Sequence, residues 1–340
     1  MQYPADSDKI TYTGRVVKTG DGSVSFDWSG VYLRFRFTGD RLAMRAGDTR
    51  SNYYLLFIDG KYVREINIRG EERLIELGCD LGAGVHRAML YKRTEAGEGT
   101  TTIRGFTLAD GGKILAWTGA PTRKIEFIGD SMTCGFGSET TDPGEEYTAE
   151  TENAYHSYAS VAARLLNADY TLIAHSGQGV VRNYGDSKRA SDYTMRQRFF
   201  TAYDQNPDPK WDFSLWRPDA VVINLGTNDF STSPLPSAAE FIKGYRELLS
   251  SVRKAYGEIP IFCLSSPMSS RTQRECVEKA ATESNDKNMF FIPMYSYVLH
   301  YPDDYGAGHP NSKGHQKLAM LLAPYISSVM GWTLGANGFN

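Results

Sequence analysis

Four short stretches of the 340-residue chain carry groups suited to one reaction. In "IEFIGDSMTCGFG", residues 125–137, an apolar run stops at Gly129 and the polar pair Asp130 and Ser131 sits where the chain must turn. Gly177 follows "TLIAHS", Asn228 follows "VVINLGT", and His309 lies in "YGAGHPNSKGH". A serine hydroxyl becomes a nucleophile when a neighbouring base takes its proton, and His309 could be that base. The tetrahedral intermediate of acyl transfer carries an oxyanion that needs fixed donors. The backbone N–H groups of Ser131 and Gly177 and the side-chain amide of Asn228 would supply three. Glycine at 177 would let the backbone approach a substrate with no Cβ in the way.

Each stretch also has a plainer reading. Gly-Asp-Ser at a strand end makes a turn and a helix cap. "GTND" makes an Asx-type turn. His309-Pro310 can merely stop one segment and start a helix. His315, one turn further on, reads as a structural or surface histidine, and His175 as packing beside Ser176. His86, His156 and His300 have no partner in the sequence.

What separates the two readings is the elements that would position these residues. From Lys124 onward short apolar strands alternate with amphipathic helices. "KIEFIGD", "DYTLIAHS", "DAVVINLG", "IPIFCLSS" and "MFFIPM" read as buried strands of a parallel sheet. "SAAEFIKGYRELLSSVRKAYG" places Phe241, Tyr245, Leu248, Leu249 and Val252 on one stripe and opens with Ser237 and Glu240 at capping-box spacing. A last helix after Asn311-Ser312 carries Leu318, Leu321, Leu322 and Ile326. The alternation implies a three-layer α/β/α domain, in which ligands gather at the carboxyl ends of the strands. Ser131, Gly177 and Asn228 share that address, and His309 lies in a loop before the final helix.

Upstream the period is two. In "YLRFRF" Leu33, Phe35 and Phe37 face one way and Arg34 and Arg36 the other, as in a strand with one wet face. Turn signals at Gly39-Asp40, Asp59-Gly60 and Asp110-Gly111-Gly112 break the strands. An antiparallel, jelly-roll-like β-sandwich over residues 1–118 is expected, then the connector "WTGAPTRK" and a catalytic domain over 119–340.

Composition narrows the function. A net charge of −3 gives no reason to expect nucleic acid or an anionic membrane as partner. No apolar run approaches the length of a membrane span. The opening "MQYPADSDKITYTG" lacks the apolar core of a signal peptide, which leaves an intracellular protein or an exported one already processed. Cys79, Cys134, Cys263 and Cys276 are scattered, with no Cys/His cluster at zinc-ligand spacing, so they read as buried thiols. No metal and no cofactor is expected.

Taken together, "GDS", the glycine of "SGQG", "GTND" and the late "HP" resemble the four signature blocks of SGNH (GDSL-type) hydrolases over residues 122–332. With the preceding β domain the chain is similar to carbohydrate esterase family 2, acetyl esterases that remove O-acetyl groups from plant polysaccharides such as xylan. The resemblance implies Ser131 as nucleophile, Gly177 and Asn228 as oxyanion donors, and His309 as base. Most SGNH enzymes place an Asp three residues before the histidine, but here that position is Gly306. Some members of the resembled family are Ser–His dyads in which a backbone carbonyl orients the ring. Asp303 and Asp304 lie close enough in sequence to supply a displaced acid. Three functions follow as expectations: deacetylation of a carbohydrate, hydrolysis of lipid or thioester acyl groups, or carbohydrate binding by a catalytically weak hydrolase. No long apolar lid flanks the blocks, which disfavours the second. Tyr184 and Trp211 read either as a sugar-stacking wall or as core.

Overall fold

The computed structural model describes residues 1–335. The chain divides into two compact units, Met1–Ala120 with Ala202–Asn206, and Pro121–Thr201 with Pro207–Asn340.

The first unit is a ten-stranded antiparallel sheet. Its centre is β1 (Tyr32–Thr38), β2 (Leu42–Ile58), β3 (Lys61–Gly78), β4 (Val85–Lys92) and β5 (Thr101–Leu108). The two halves expected of a sandwich are joined by hydrogen bonds because β2 serves both. It pairs with β4 through Tyr54–Ile58, with β5 through Leu42–Asp48, and with β3 along its length. Asp59 and Gly60, both at positive φ, make the β2–β3 turn. Leu33, Phe35 and Phe37 are buried as the alternation requires. Arg34 departs from it. Its guanidinium is buried between the rings of Tyr32 and Trp117, 5.0 and 5.5 Å from their centroids, so the connector's Trp117 covers what reads locally as a wet face. Cys79 is exposed rather than buried, because it follows β3 where the chain leaves the sheet, while the other three thiols are buried.

The second unit is a five-stranded parallel sheet of β6 (Arg123–Gly129), β7 (Ala168–Ala174), β8 (Ala220–Asn224), β9 (Ile261–Ser265) and β10 (Met289–Pro293). The spatial order is β7-β6-β8-β9-β10. The chain runs outward from β6 to β7 and then returns past it to β8, which makes β6 the point where the order reverses. In open α/β sheets ligands bind outside the carboxyl ends of the strands at such a point. Four helices cover the sheet: α2 (Tyr158–Leu165), α3 (Ala238–Tyr256), α4 (Arg271–Thr282) and α5 (Ser312–Met330), with a single turn α1 (Ser131–Cys134) after β6. α2 packs on β7 and beside α5, while α3 packs against α4, which lies on β9 and β10.

The α3 capping box forms as its spacing predicts, and its five stripe residues are buried. In α5 the buried stripe is Leu318, Leu322 and Ile326, four apart, whereas Leu321 falls off it and is 44% exposed. β10, read as a buried strand, is half-buried except at Ile292, whereas β7 at the opposite edge of the sheet is buried throughout. Among the described residues no helix is long and apolar enough to cross a membrane.

Candidate active site

Ser131 opens α1, and the helix cap is its neighbour. Asp130, in extended conformation, accepts from Met132 N–H at 3.2 Å, so capping does not need the serine hydroxyl. Gly129 makes the turn possible, since a Cβ there would stand 2.0 Å from Thr133 Oγ1. Gly135, at φ +78°, ends the turn.

His309 arrives on a two-residue hairpin in which Tyr305–Gly306 pairs with His309–Pro310. Ala307 and Gly308 form the turn with φ values of 49° and 71°. Ala307 is a non-glycine residue in the left-handed region, and neighbouring backbone holds it there. Its N–H donates to Asp142 O at 2.9 Å, and that of Gly308 to Pro143 O at 2.8 Å. The turn aims the Ala307 carbonyl at His309 Nδ1, 3.2 Å away. His309 Nε2 lies 2.9 Å from Ser131 Oγ. A carbonyl can only accept, so Nδ1 carries the proton and Nε2 is left to accept from the serine hydroxyl.

Neither nearby aspartate is directed to that ring. Asp304 is buried, accepts from His300 N–H at 2.6 Å, and pairs with Lys317. These contacts hold its carboxyl below its usual range against the opposing effect of burial. Asp303 is exposed and lies 3.4 Å from His300. At position 306 there is no room for a side chain, because a Cβ would meet Thr140 O and Oγ1 at 2.4 Å each.

Asn228 begins a single turn after β8 and is buried. Its Nδ2 donates to Gln178 O at 2.9 Å and, at a longer 3.3 Å, to Asp130 Oδ2. Gly177 has φ +77°, and a Cβ there would touch only Tyr184 Cβ at 3.7 Å. The backbone conformation asks for glycine here; the space alone does not. Its carbonyl accepts from Tyr184 N–H at 2.8 Å, and Tyr184 is 64% exposed beside it. Trp211 is buried and belongs to the core.

The sequence reading missed Asp229. Its carboxylate accepts from the N–H groups of Val180, Val181 and Arg182 at 3.0, 2.6 and 2.9 Å, which fixes the loop carrying Gly177. Gly179 leaves space for it, since a Cβ there would come within 2.6 Å of Asp229 Oδ2. Burial pushes the Asp229 carboxyl up and the three donors oppose this. Burial, with Asp229 as a neighbour, pushes Asp130 up to about 7. The signal was the acidic residue next to Asn228, but its partners lie about 48 positions upstream. His315 is wholly buried, its Nδ1 accepting from Tyr158 N–H at 3.1 Å, and burial lowers it to about 3. His86 finds Asp59 at 2.8 Å in the first unit.

Comparison with known proteins finds relatives for both regions of the chain. Residues 12–117 match the carbohydrate esterase 2 N-terminal model, and residues 127–317 the GDSL-like lipase/acylhydrolase family. The chain is 34% identical to cellulase/esterase CelE of Acetivibrio thermocellus over 96% of its own length and 40% of that protein's, so it spans less than half of that relative. It is 26% identical to an acetylxylan esterase / glucomannan deacetylase of Cellvibrio japonicus, covering 96% of this chain and 91% of that one. A family two carbohydrate esterase from Clostridium thermocellum, solved with cellohexaose, superposes with a TM-score of 0.88 at 33% identity, over 95% of this chain and 99% of that one. With both of its regions matched and the fold shared across nearly the whole length, this chain belongs to family 2 of the carbohydrate esterases.

Proposed function

We propose that the chain is a serine esterase that removes O-acetyl groups from xylan or a related plant polysaccharide or oligosaccharide, working through a Ser–His dyad. Ser131 Oγ attacks the acetyl carbonyl as His309 Nε2 takes its proton. The backbone N–H groups of Ser131 and Gly177 and Asn228 Nδ2 receive the oxyanion, the last by giving up its long contact to Asp130. Collapse of the intermediate breaks the ester C–O bond, and His309 returns the proton to the departing sugar oxygen. Water, deprotonated in turn by His309, attacks the acetyl group on Ser131 and releases acetate. The Ala307 carbonyl holds the histidine tautomer throughout. Tyr184, exposed next to Gly177, offers its face to the sugar.

The observation that carries this reading is the 2.9 Å hydrogen bond between His309 Nε2 and Ser131 Oγ at the switch point of the sheet. The Cellvibrio relative, named for acetylxylan and glucomannan, and the Clostridium neighbour, solved with cellohexaose, support a carbohydrate as the acyl carrier.

The test is hydrolysis of an aryl acetate, the matching octanoate, and acetylated xylan. Acetate release from xylan with a sharp fall in kcat/KM from acetyl to octanoyl is expected. A preference for octanoyl would move the chain to lipid acyl hydrolysis. Xylan binding with no turnover of any ester would leave a carbohydrate-binding protein.

A further inference from the structure

Beyond the Ala307 carbonyl, a second restraint acts on His309. The ring of Phe136 lies against its imidazole, with centroids 4.5 Å apart and planes inclined by 42°. Behind Phe136, Tyr147 stacks with centroids 4.2 Å apart and planes within 17°. Tyr147 Oη donates to the buried carboxylate of Glu152 at 2.9 Å, which fixes the rear ring. Phe136 is also tied to the nucleophile, since its N–H donates to Ser131 O at 3.1 Å. The turn that presents Ser131 thus also presents the ring that meets His309.

We propose that Phe136, backed by Tyr147, is a positioning residue that fixes the plane of the His309 imidazole so that Nε2 stays on Ser131 Oγ. The inference rests on the roles given to Ser131 and His309 above. Hydrogen bonds at its two nitrogens, to the Ala307 carbonyl and to Ser131 Oγ, set the tautomer and direction of the ring. An aromatic face against the imidazole adds a restraint on its plane, and its quadrupole attracts the imidazolium that forms as Ser131 is deprotonated. In a triad a carboxylate performs both tasks. Here the carbonyl and the aromatic stack divide them.

Phe136 and Tyr147 are both half-exposed, so the competing role is a wall for the sugar. Steady-state kinetics on an aryl acetate and on an acetylated xylo-oligosaccharide separate the two roles. Phe136→Leu should lower kcat about 10- to 100-fold on both substrates, the scale of a 1 Å misplacement, with KM little changed. Phe136→Tyr should restore it. Tyr147→Leu should cost less, and the double variant should be no worse than Phe136→Leu, because the two rings act in series. A rise in KM for the oligosaccharide alone, additive losses, or equal loss in Phe136→Tyr would overturn the proposal. If the wild type hydrolyses neither ester, the esterase reading fails, and the His309 Nδ1–H proton resonance still tests the positioning. It should exchange rapidly with water in Phe136→Leu and slowly in the wild type and Phe136→Tyr. Equal exchange in all three would refute the role.

Discussion

Putting an aspartate where most SGNH enzymes have one should damage this protein instead of improving it. A Cβ at position 306 would lie 2.4 Å from both Thr140 O and Thr140 Oγ1, and 2.8 Å from Thr140 C. Reaching ordinary contact requires the hairpin and the 140 loop to part by about 1 Å. The loop cannot simply yield, because Asp142 O and Pro143 O hold the Ala307–Gly308 turn through two hydrogen bonds. Gly306→Asp should therefore cost about 1–3 kcal/mol of stability, the range for overpacking, or roughly 2–10 °C in Tm. Since Gly306 is the strand partner of His309, the same displacement reaches the base. Misplacing a catalytic group by about 1 Å costs about 100-fold in rate. Gly306→Ala adds the same Cβ without the charge and should lose nearly as much. Thermal denaturation and kcat on an aryl acetate measure both effects. A Gly306→Asp variant with unchanged Tm and higher kcat would refute the steric reasoning and show that the site lacks only its acid.

Four further outcomes follow from the same geometry. Ser131→Ala and His309→Ala should each remove acetyl-ester hydrolysis with Tm preserved; near-wild-type kcat in either would end the dyad assignment. Asp303→Asn and Asp304→Asn should each keep most of the activity, with Asp304→Asn lowering Tm through its lost partners; a fall of about a thousandfold in kcat would mark that residue as a displaced triad acid. Asn228→Ala should lower kcat about 100- to 1,000-fold with KM little moved, the usual cost of one oxyanion donor. Asp130, raised to about 7 in the folded protein, keeps its proton while the unfolded chain loses it from about pH 4 upward. Its contribution is therefore fully present below pH 4 and declines up to about pH 7, by as much as about 1.4 kcal/mol per unit. Asp130→Asn should flatten that slope in urea denaturation at pH 4–8; parallel curves for the two proteins would contradict it.

The sequence by itself determined what depends on near neighbours along the chain. Period-two and helical patterns marked the strands and helices, because a residue's face is set by the geometry of its own element. The shared position of Ser131, Gly177 and Asn228 at strand ends was legible for the same reason, as was the capping box of α3. What only the tertiary structure decided is how distant segments meet. Arg34 is buried because Trp117 folds over it, and Leu321 is exposed because packing chose a narrower stripe than apolarity alone suggests. Asp229 anchors a loop about 48 residues away, and the Ala307 carbonyl faces His309 because residues 140–143 grip the turn. Gly306 stands out in the sequence only as a missing acid. In the folded protein it is the place where Thr140 leaves no room for any side chain, a steric fact that no local pattern can encode.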